Sequence, residues 1–255
     1  MQEILTGIAD LIFPPRCIAC GELLEQHAPL PFCTSCMTGI RFIGSPLCPR
    51  CGTPFPAAEG EDHLCGKCLV TERTYAVARS VGRYEETLLT AIHRFKYRGK
   101  TGIGDLLGKI MADFADNLWD MKVFDRILPV PLHPRRLRER GFNQAVILAR
   151  GLSKRFDIPL DFTSLRRDRF TPPQVGLDRQ QRSANVQGAF TVAHPERIAG
   201  RRLLLVDDVY TTGSTLTECA RVLIRAKADS VAVFTMARAV YDHDPPPEPA
   251  PPCIE

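Results

Sequence analysis

The sequence predicts an α/β domain with a mostly parallel sheet flanked by helices, led by a small cysteine-rich module. Three observations predict it. From residue 74 onward, short apolar runs alternate with segments of helical period, the pattern of parallel strands joined by crossover helices. Before that point, eight of the ten cysteines stand in four C-x-x-C pairs within 52 residues. A chain of 255 residues with 44% hydrophobic residues also suffices for one substantial core and one small module.

The pairs are Cys17/Cys20, Cys33/Cys36, Cys48/Cys51 and Cys65/Cys68. The leading "MQEILTGIADLIF" has no basic n-region or cleavage site, so a cytoplasmic setting with reduced thiols is expected. Zinc is then the expected partner. Two thiolates at i and i+3 on a tight turn can share one tetrahedral ion, and two such turns complete a four-cysteine site. Gly21 and Gly52 follow second cysteines, where positive φ lets the turn bend back. The spacing allows sequential pairing of the turns or a cross-brace, and sequential pairing is the expectation. Full sulfur coordination leaves no open position for catalysis, which makes the module structural or recognitional. The metal would supply its folding energy, on the order of 10 kcal/mol per site. "CGKC" and "CPRC" resemble thioredoxin-type motifs, but four copies, none between a clear strand and helix, argue against redox chemistry. His27 and His63 are surplus to eight sulfurs and are expected at the surface.

The expected organisation is an N-terminal helix over 1–16, a double zinc ribbon over 17–72, the α/β domain over 73–240 and a disordered, acidic, Pro-rich tail over 241–255. Ile4, Leu5, Ile8, Leu11 and Ile12 share a helical face, expected to pack on the protein body. No run of 18 apolar residues exists, so no stable membrane insertion is expected. Within the domain, "YAVARSVGRY" reads as a strand and "EETLLTAIHRFKYRGK" as a helix burying Leu88, Leu89, Ile92 and Phe95. Its Lys96 and Arg98 read as charges complementing the helix dipole, with Gly99 as the stop. A second helix spans roughly Gly104 to Trp119, placing Leu107, Ile110, Met111, Phe114 and Leu118 inward. A short strand and a Pro-rich basic loop follow in "FDRILPVPLHPRRLRERGFNQ", then a helix from about Asn143. Residues 166–188 show no apolar period, and connections this long are functional or disordered. Strand 202–206, helix 215–227 and strand 230–237 close the domain. Phe156 and Phe162 read as core.

Net charge is only +4, yet the fifty residues from His133 to Arg182 hold twelve Lys and Arg against five Asp and Glu. Such a concentration favours phosphates, on a small molecule or on nucleic acid. A second anion signal lies in "LLLVDDVYTTGST", Leu203 to Thr215. The apolar run reads as a buried central strand, and Thr215 with Glu218 reads as a capping box opening a helix. Thr211 to Thr215 would then form a strand-to-helix turn with hydroxyls, free amides and a helix N-terminus, suited to a phosphate monoester. Asp207 and Asp208 would repel that phosphate but can accept hydrogen bonds from hydroxyls on the same ligand, or bind metal. A sugar phosphate satisfies both halves.

Four apolar residues, two acids, two apolar residues and T-T-G-x-T resemble the signature of type I phosphoribosyltransferases, which bind 5-phosphoribosyl 1-diphosphate (PRPP). Tyr210 departs from it, standing where an aliphatic residue is usual. Together with "PVPLHPRRLRERGFNQ", "TPPQVGLDRQQRSANVQGAF" and the leading cysteine pairs, the chain from about Cys17 to Arg238 resembles the competence protein ComF family. The resemblance implies that Asp207 and Asp208 hold ribose hydroxyls while Thr211, Thr212, Gly213, Ser214 and Thr215 cradle the 5-phosphate. It implies a diphosphate-binding loop at Pro131 to Arg138, with His133, Arg135 and Arg136. It also implies a mobile hood loop carrying Arg166, Arg167, Arg169, Arg179 and Arg182. For Arg135, Arg136, Arg138 and Arg140, a solvated loop or a nucleic-acid patch is an equal alternative.

Transfer from PRPP would proceed through a cationic sugar, with Mg²⁺ and basic groups neutralising the leaving diphosphate. Purine-salvage relatives commonly carry an Asp where Thr211 stands, so 6-oxopurine salvage is not expected. Gln2 and the cysteine module stand where glutamine-using relatives have an amidase domain, which argues against amination. Three readings stay open: phosphoribosyl transfer to an unnamed acceptor, a competence accessory contacting single-stranded DNA, and a PRPP sensor without turnover. Aromatics are only 7% of the chain, and Phe142 and Phe170 are those flanking the arginine clusters, which limits base stacking.

Overall fold

The computed structural model describes residues 14–24, 30–56, 59–97, 101–171 and 179–240. A four-stranded parallel sheet runs β1 (Val77–Arg83), β6 (Ser230–Arg238), β5 (Arg202–Tyr210), β2 (Arg126–Pro129) across its width. Central β5 is buried on both faces, and its apolar residues divide by strand period. Leu204 and Val206 join one core with α3 (Glu86–Tyr97), α4 (Thr101–Ala115) and α6 (Gln144–Phe156). Leu203 and Leu205 join the other with α8 (Ser214–Arg225) and a two-stranded antiparallel hairpin, β3 (Leu165–Arg167) and β4 (Phe190–Val192). Among the described residues no helix is long and apolar enough to cross a membrane.

The cysteine module sits on the β1 edge of this sheet. Ile43 N donates to Val81 O at 3.0 Å and Arg83 N to Arg41 O at 2.8 Å, so residues 41–43 cover an edge that would otherwise present unpaired backbone groups. Cys17, Ile18, Ala19, Phe32 and Ile40 belong to the same buried cluster as Val81, Leu88 and Phe95. The module therefore gains apolar burial from the domain.

Several expectations change. Helix α4 runs Thr101–Ala115 rather than 104–119, and Phe114 and Leu118 only flank the core. The expected loop before Asn143 contains a helix, α5 (Pro134–Arg140): His133 Nδ1 accepts from Arg135 N at 3.2 Å, Pro134 sits in the first turn and Gly141 stops it. Strand β5 continues past residue 206 to Tyr210 because β6 pairs with it that far, Tyr210 opposite Arg238. Phe162 is 61% exposed, not core, while Phe156 packs against it. The 166–188 stretch is partly regular: β3 opens it and α7 (Arg179–Val186) closes it. The capping box does not form, since α8 begins at Ser214 with Gly213 as its cap, and Glu218 instead binds Arg221 and Gly188 N. The N-terminal helix, His27, Arg98 with Gly99, the middle of the hood segment and the tail lie outside the described residues.

Candidate functional site

Each C-x-x-C turn is built for convergence. Gly21 N and Gly52 N close back on Cys17 O and Cys48 O at 2.9 and 2.8 Å, and both glycines take positive φ. The second turn of each ribbon is instead the start of a short helix, α1 (Thr34–Thr38) and α2 (Gly66–Val70). Pairing is sequential: Cys17, Cys20, Cys33 and Cys36 form one cluster and Cys48, Cys51, Cys65 and Cys68 the other, with sulfurs all within 4.8 Å in each. His63 stands apart, exposed and stacked on Phe55 at 3.9 Å.

The donor sets fit zinc. Burial raises the Cys17 and Cys51 thiols, but backbone hydrogen bonds around Cys17 and the Arg238 charge beside Cys51 outweigh it and bring each to about 6. Burial and the neighbouring thiols push Cys36 far up and Cys68 to about 12. Four thiols this close cannot all ionise unaided, whereas a divalent ion among them would displace their protons.

The second site opens at the carboxyl ends of β2 and β5 as a cavity of about 450 Å³. Lys96, Arg136, Arg140, Arg167 and Arg182 line it together with Asp207, Asp208, Thr211, Gly213, Ser214 and Thr215. Strand period turns the adjacent acids to different surroundings. Asp208, 8% exposed, pairs with Lys96 Nζ at 2.8 Å. Burial opposes the lysine charge, but Asp208 outweighs it and holds the ammonium above the ordinary lysine range. Burial and the Asp208 charge raise Asp207 to about 7. In the Thr211–Thr215 turn, Thr212 and Ser214 hydroxyls lie 2.9 Å apart; the cap residue Gly213 has no side chain to take the first-turn amides of α8, of which Ser214 N donates to Thr212 Oγ1 at 3.4 Å.

The basic residues divide. His133, Arg136, Arg167 and Arg182 line the cavity, while Arg135 turns outward to Glu139 at 3.1 Å and lies over the Phe170 ring at 4.7 Å. Arg166 is exposed on β3, and Arg169 donates to Asn185 O and Gln187 O at 3.0 and 2.7 Å, tying together the described ends of the 166–188 stretch. Arg179 opens α7, and its side chain lies outside the description. Thr212 supports the loop from behind the cavity lining.

Two contributors escape the sequence reading. Lys96 looks like a dipole-complementing helix end, and only the fold brings it to Asp208. Gln144 stands at the start of α6, 2% exposed, its Oε1 accepting from Arg140 Nη1 at 3.0 Å. Its Nε2 and Arg167 Nε are buried donors beside the cavity with no partner among the described residues. The signal for Gln144 was its position after a helix-capping Asn143, whose side chain accepts from Ala145 N at 3.0 Å.

Comparison with known proteins agrees with this two-part layout. A double zinc ribbon domain model matches residues 8–69 and a phosphoribosyl transferase domain model matches residues 143–249. Competence protein F of Haemophilus influenzae is 33% identical over 228 residues, covering 88% of this chain and 97% of that protein. DNA utilization protein YhgH of Escherichia coli is 33% identical over 212 residues, 82% of this chain and 90% of that one. Competence protein ComFC of Bacillus subtilis is 29% identical over 224 residues, with 81% and 84% covered.

Proposed function

The chain belongs to the family of competence protein F, and from that premise we propose that its phosphoribosyltransferase-like domain binds PRPP with Mg²⁺ in the 450 Å³ cavity. One observation carries the reading: an acid pair, a helix start and a basic wall all face a single cavity. A ligand with hydroxyls, a monophosphate and a diphosphate uses all three. Asp207 would accept the ribose hydroxyls, with Asp208 held beside it by Lys96. Thr211 to Thr215 would take the 5-phosphate. Gln144 Nε2 and Arg167 Nε supply donors that an anion satisfies, and with Arg136, Arg140 and Arg182 they favour the diphosphate end.

If the bound PRPP reacts, these donors would stabilise the leaving diphosphate, and the hood would exclude water from the cationic sugar. The test is a thermal melt. PRPP with Mg²⁺ should raise the melting temperature of the wild-type chain, and Asp207→Ala with Asp208→Ala should abolish the rise; unchanged wild-type melting would falsify the reading. Diphosphate release with a panel of acceptors then separates transferase from sensor.

A second reading has its own observation. Phe170 is 37% exposed, with His133 edge-on at 5.3 Å and Arg135 and Arg136 over its face at 4.7 and 5.8 Å. That surface supports contact with single-stranded nucleic acid through phosphates and one stacking platform. Binding carried by these arginines should weaken steeply with salt, and a flat response removes this reading.

A further inference from the structure

Tyr210 is where the chain departs from the usual aliphatic residue, and its neighbours tie two distant parts of the molecule together. It ends β5 immediately before the phosphate loop and is 2% exposed. Gly213 turns directly over it with φ +78°, so that a Cβ there would stand 2.2 Å from the Tyr210 hydroxyl oxygen. The loop thus rests on this ring without slack. The Tyr210 hydroxyl lies 2.7 Å from that of Tyr75.

The β5 and β6 register sets Arg238 opposite Tyr210, with its guanidinium 3.9 Å from the ring centroid. The same guanidinium donates to Cys51 O at 2.8 Å and Thr53 Oγ1 at 2.6 Å, and lies 3.7 Å from Cys51 Sγ. Arg238 is 6% exposed, and among the described residues no carboxylate pairs with it. Arg73 stands within side-chain hydrogen-bond reach of the Cys68 thiol. Four thiolates around a divalent ion carry a net charge of about −2, which is the counter-charge these two arginines face.

We propose that Arg238 and Tyr210 are positioning residues through which the metal state of the second cysteine cluster sets the affinity of the phosphate loop. A bound ion pins the Cys48–Gly52 turn and so fixes Cys51 O and Thr53 Oγ1, the acceptors that hold the Arg238 guanidinium over the ring; without the ion that turn is no longer pinned, and the guanidinium loses its fixed acceptors. Its displacement removes the stack that holds the Tyr210 ring, and the loop loses its seat. Among the described residues the first cluster does not reach Tyr210 or the turn above it: it contacts α3, through Arg94 Nη1 to Ala19 O at 2.7 Å and Thr87 Oγ1 to Cys36 O at 2.8 Å, and meets the cavity only through the Lys96 end of that helix.

The inference rests on the PRPP reading of the loop, and the experiment separates the two. Zinc release from the full two-zinc chain to a chromogenic chelator is followed with and without PRPP and Mg²⁺, its phases assigned with Cys36→Ser and Cys68→Ser. Because coupling is reciprocal, PRPP should slow release from the second cluster by about tenfold and leave the first near its unliganded rate. Arg238→Met should lose that protection, and Tyr210→Phe, which keeps the ring, should retain most of it. Equal second-cluster release with and without PRPP, in a chain whose melting temperature PRPP raises, overturns the coupling alone. Absence of any PRPP effect on wild-type melting overturns the binding reading and the coupling with it.

Discussion

The two four-cysteine clusters use the same motif and are joined to the domain by different physics. The first is embedded in the main core: Cys17 is 1% exposed and packs with Ile18, Phe32, Val81 and Leu88. The second keeps a small apolar cluster of its own, Cys48, Cys51 and Cys68, and meets the domain through the polar contacts of Arg238, Arg73 and Arg79, whose Nη1 donates to Pro49 O at 2.9 Å. The difference teaches that apolar burial ties the first cluster to stability, whereas directed hydrogen bonds tie the second to a particular place, the floor of the Thr211–Thr215 turn.

The largest effect should break the symmetry of the clusters. Replacing Cys17 and Cys20 by Ser should lower the melting temperature by more than about 10 °C, since several kcal/mol are lost at about 2–4 °C each for a chain of this size. The matching Cys65 and Cys68 replacement should lower it less and weaken PRPP binding more, measured by paired melts and calorimetric titration. Equal losses in both readouts would erase the distinction.

Next come the two knuckle glycines. An Ala at Gly52 combines φ +72° with a Cβ 2.4 Å from Ala78 O, a backbone atom that cannot yield. At Gly21 the φ is +89°, but the nearest atoms are the flexible Arg94 tip at 3.5 Å. Denaturant titration should therefore show Gly21→Ala costing about 1–2 kcal/mol from backbone conformation alone, and Gly52→Ala distinctly more.

Asp207 tests the ligand side. Its carboxyl is raised to about 7 in the folded chain, against about 3.9 unfolded. The stability of its protonated form is thus fully present below about pH 4 and lost as pH rises through about 7. Asp207→Asn should raise the melting temperature by a few degrees at pH 8, with the gain shrinking toward pH 4, while removing the PRPP response. A lower melting temperature at pH 8 would contradict the burial argument. In the wild type, PRPP affinity should fall as pH drops below about 7, because the ionised carboxylate is the better hydroxyl acceptor.

The smallest effect is expected at the module's outer rim. Arg41 and Glu85 pair at 3.3 Å with side chains 60% and 35% exposed, so Arg41→Ala should change stability by less than about 1 kcal/mol, checked by denaturant titration.

Local rules made much of this legible. The cysteine spacing, with Gly21 and Gly52 in place, announced the turns, and the apolar run from Leu203 to Val206 announced a strand buried on both sides. The capping box failed because the turn at Gly213 is shaped by Tyr210 beneath it, a contact between residues whose local propensities say nothing of it. Helix α5 carries its signals, a cap, a proline and a terminal glycine, but its density of arginines reads as a loop. Lys96 reads as a dipole-complementing end because a helix end and a site wall look alike until the helix is packed.

By itself, then, the sequence determined which chemistries the chain carries: paired thiols, adjacent acids, a loop suited to phosphate, and the strand and helix periods that arrange them. These follow from spacing over a few residues, where covalent geometry decides. Only the tertiary structure decided that Lys96 meets Asp208, that Arg238 stands between a cysteine cluster and Tyr210, and that Arg135 leaves the cavity while Arg167 enters it. Those meetings depend on the register of parallel strands and the packing of helices, which are properties of the whole chain and not of any window within it.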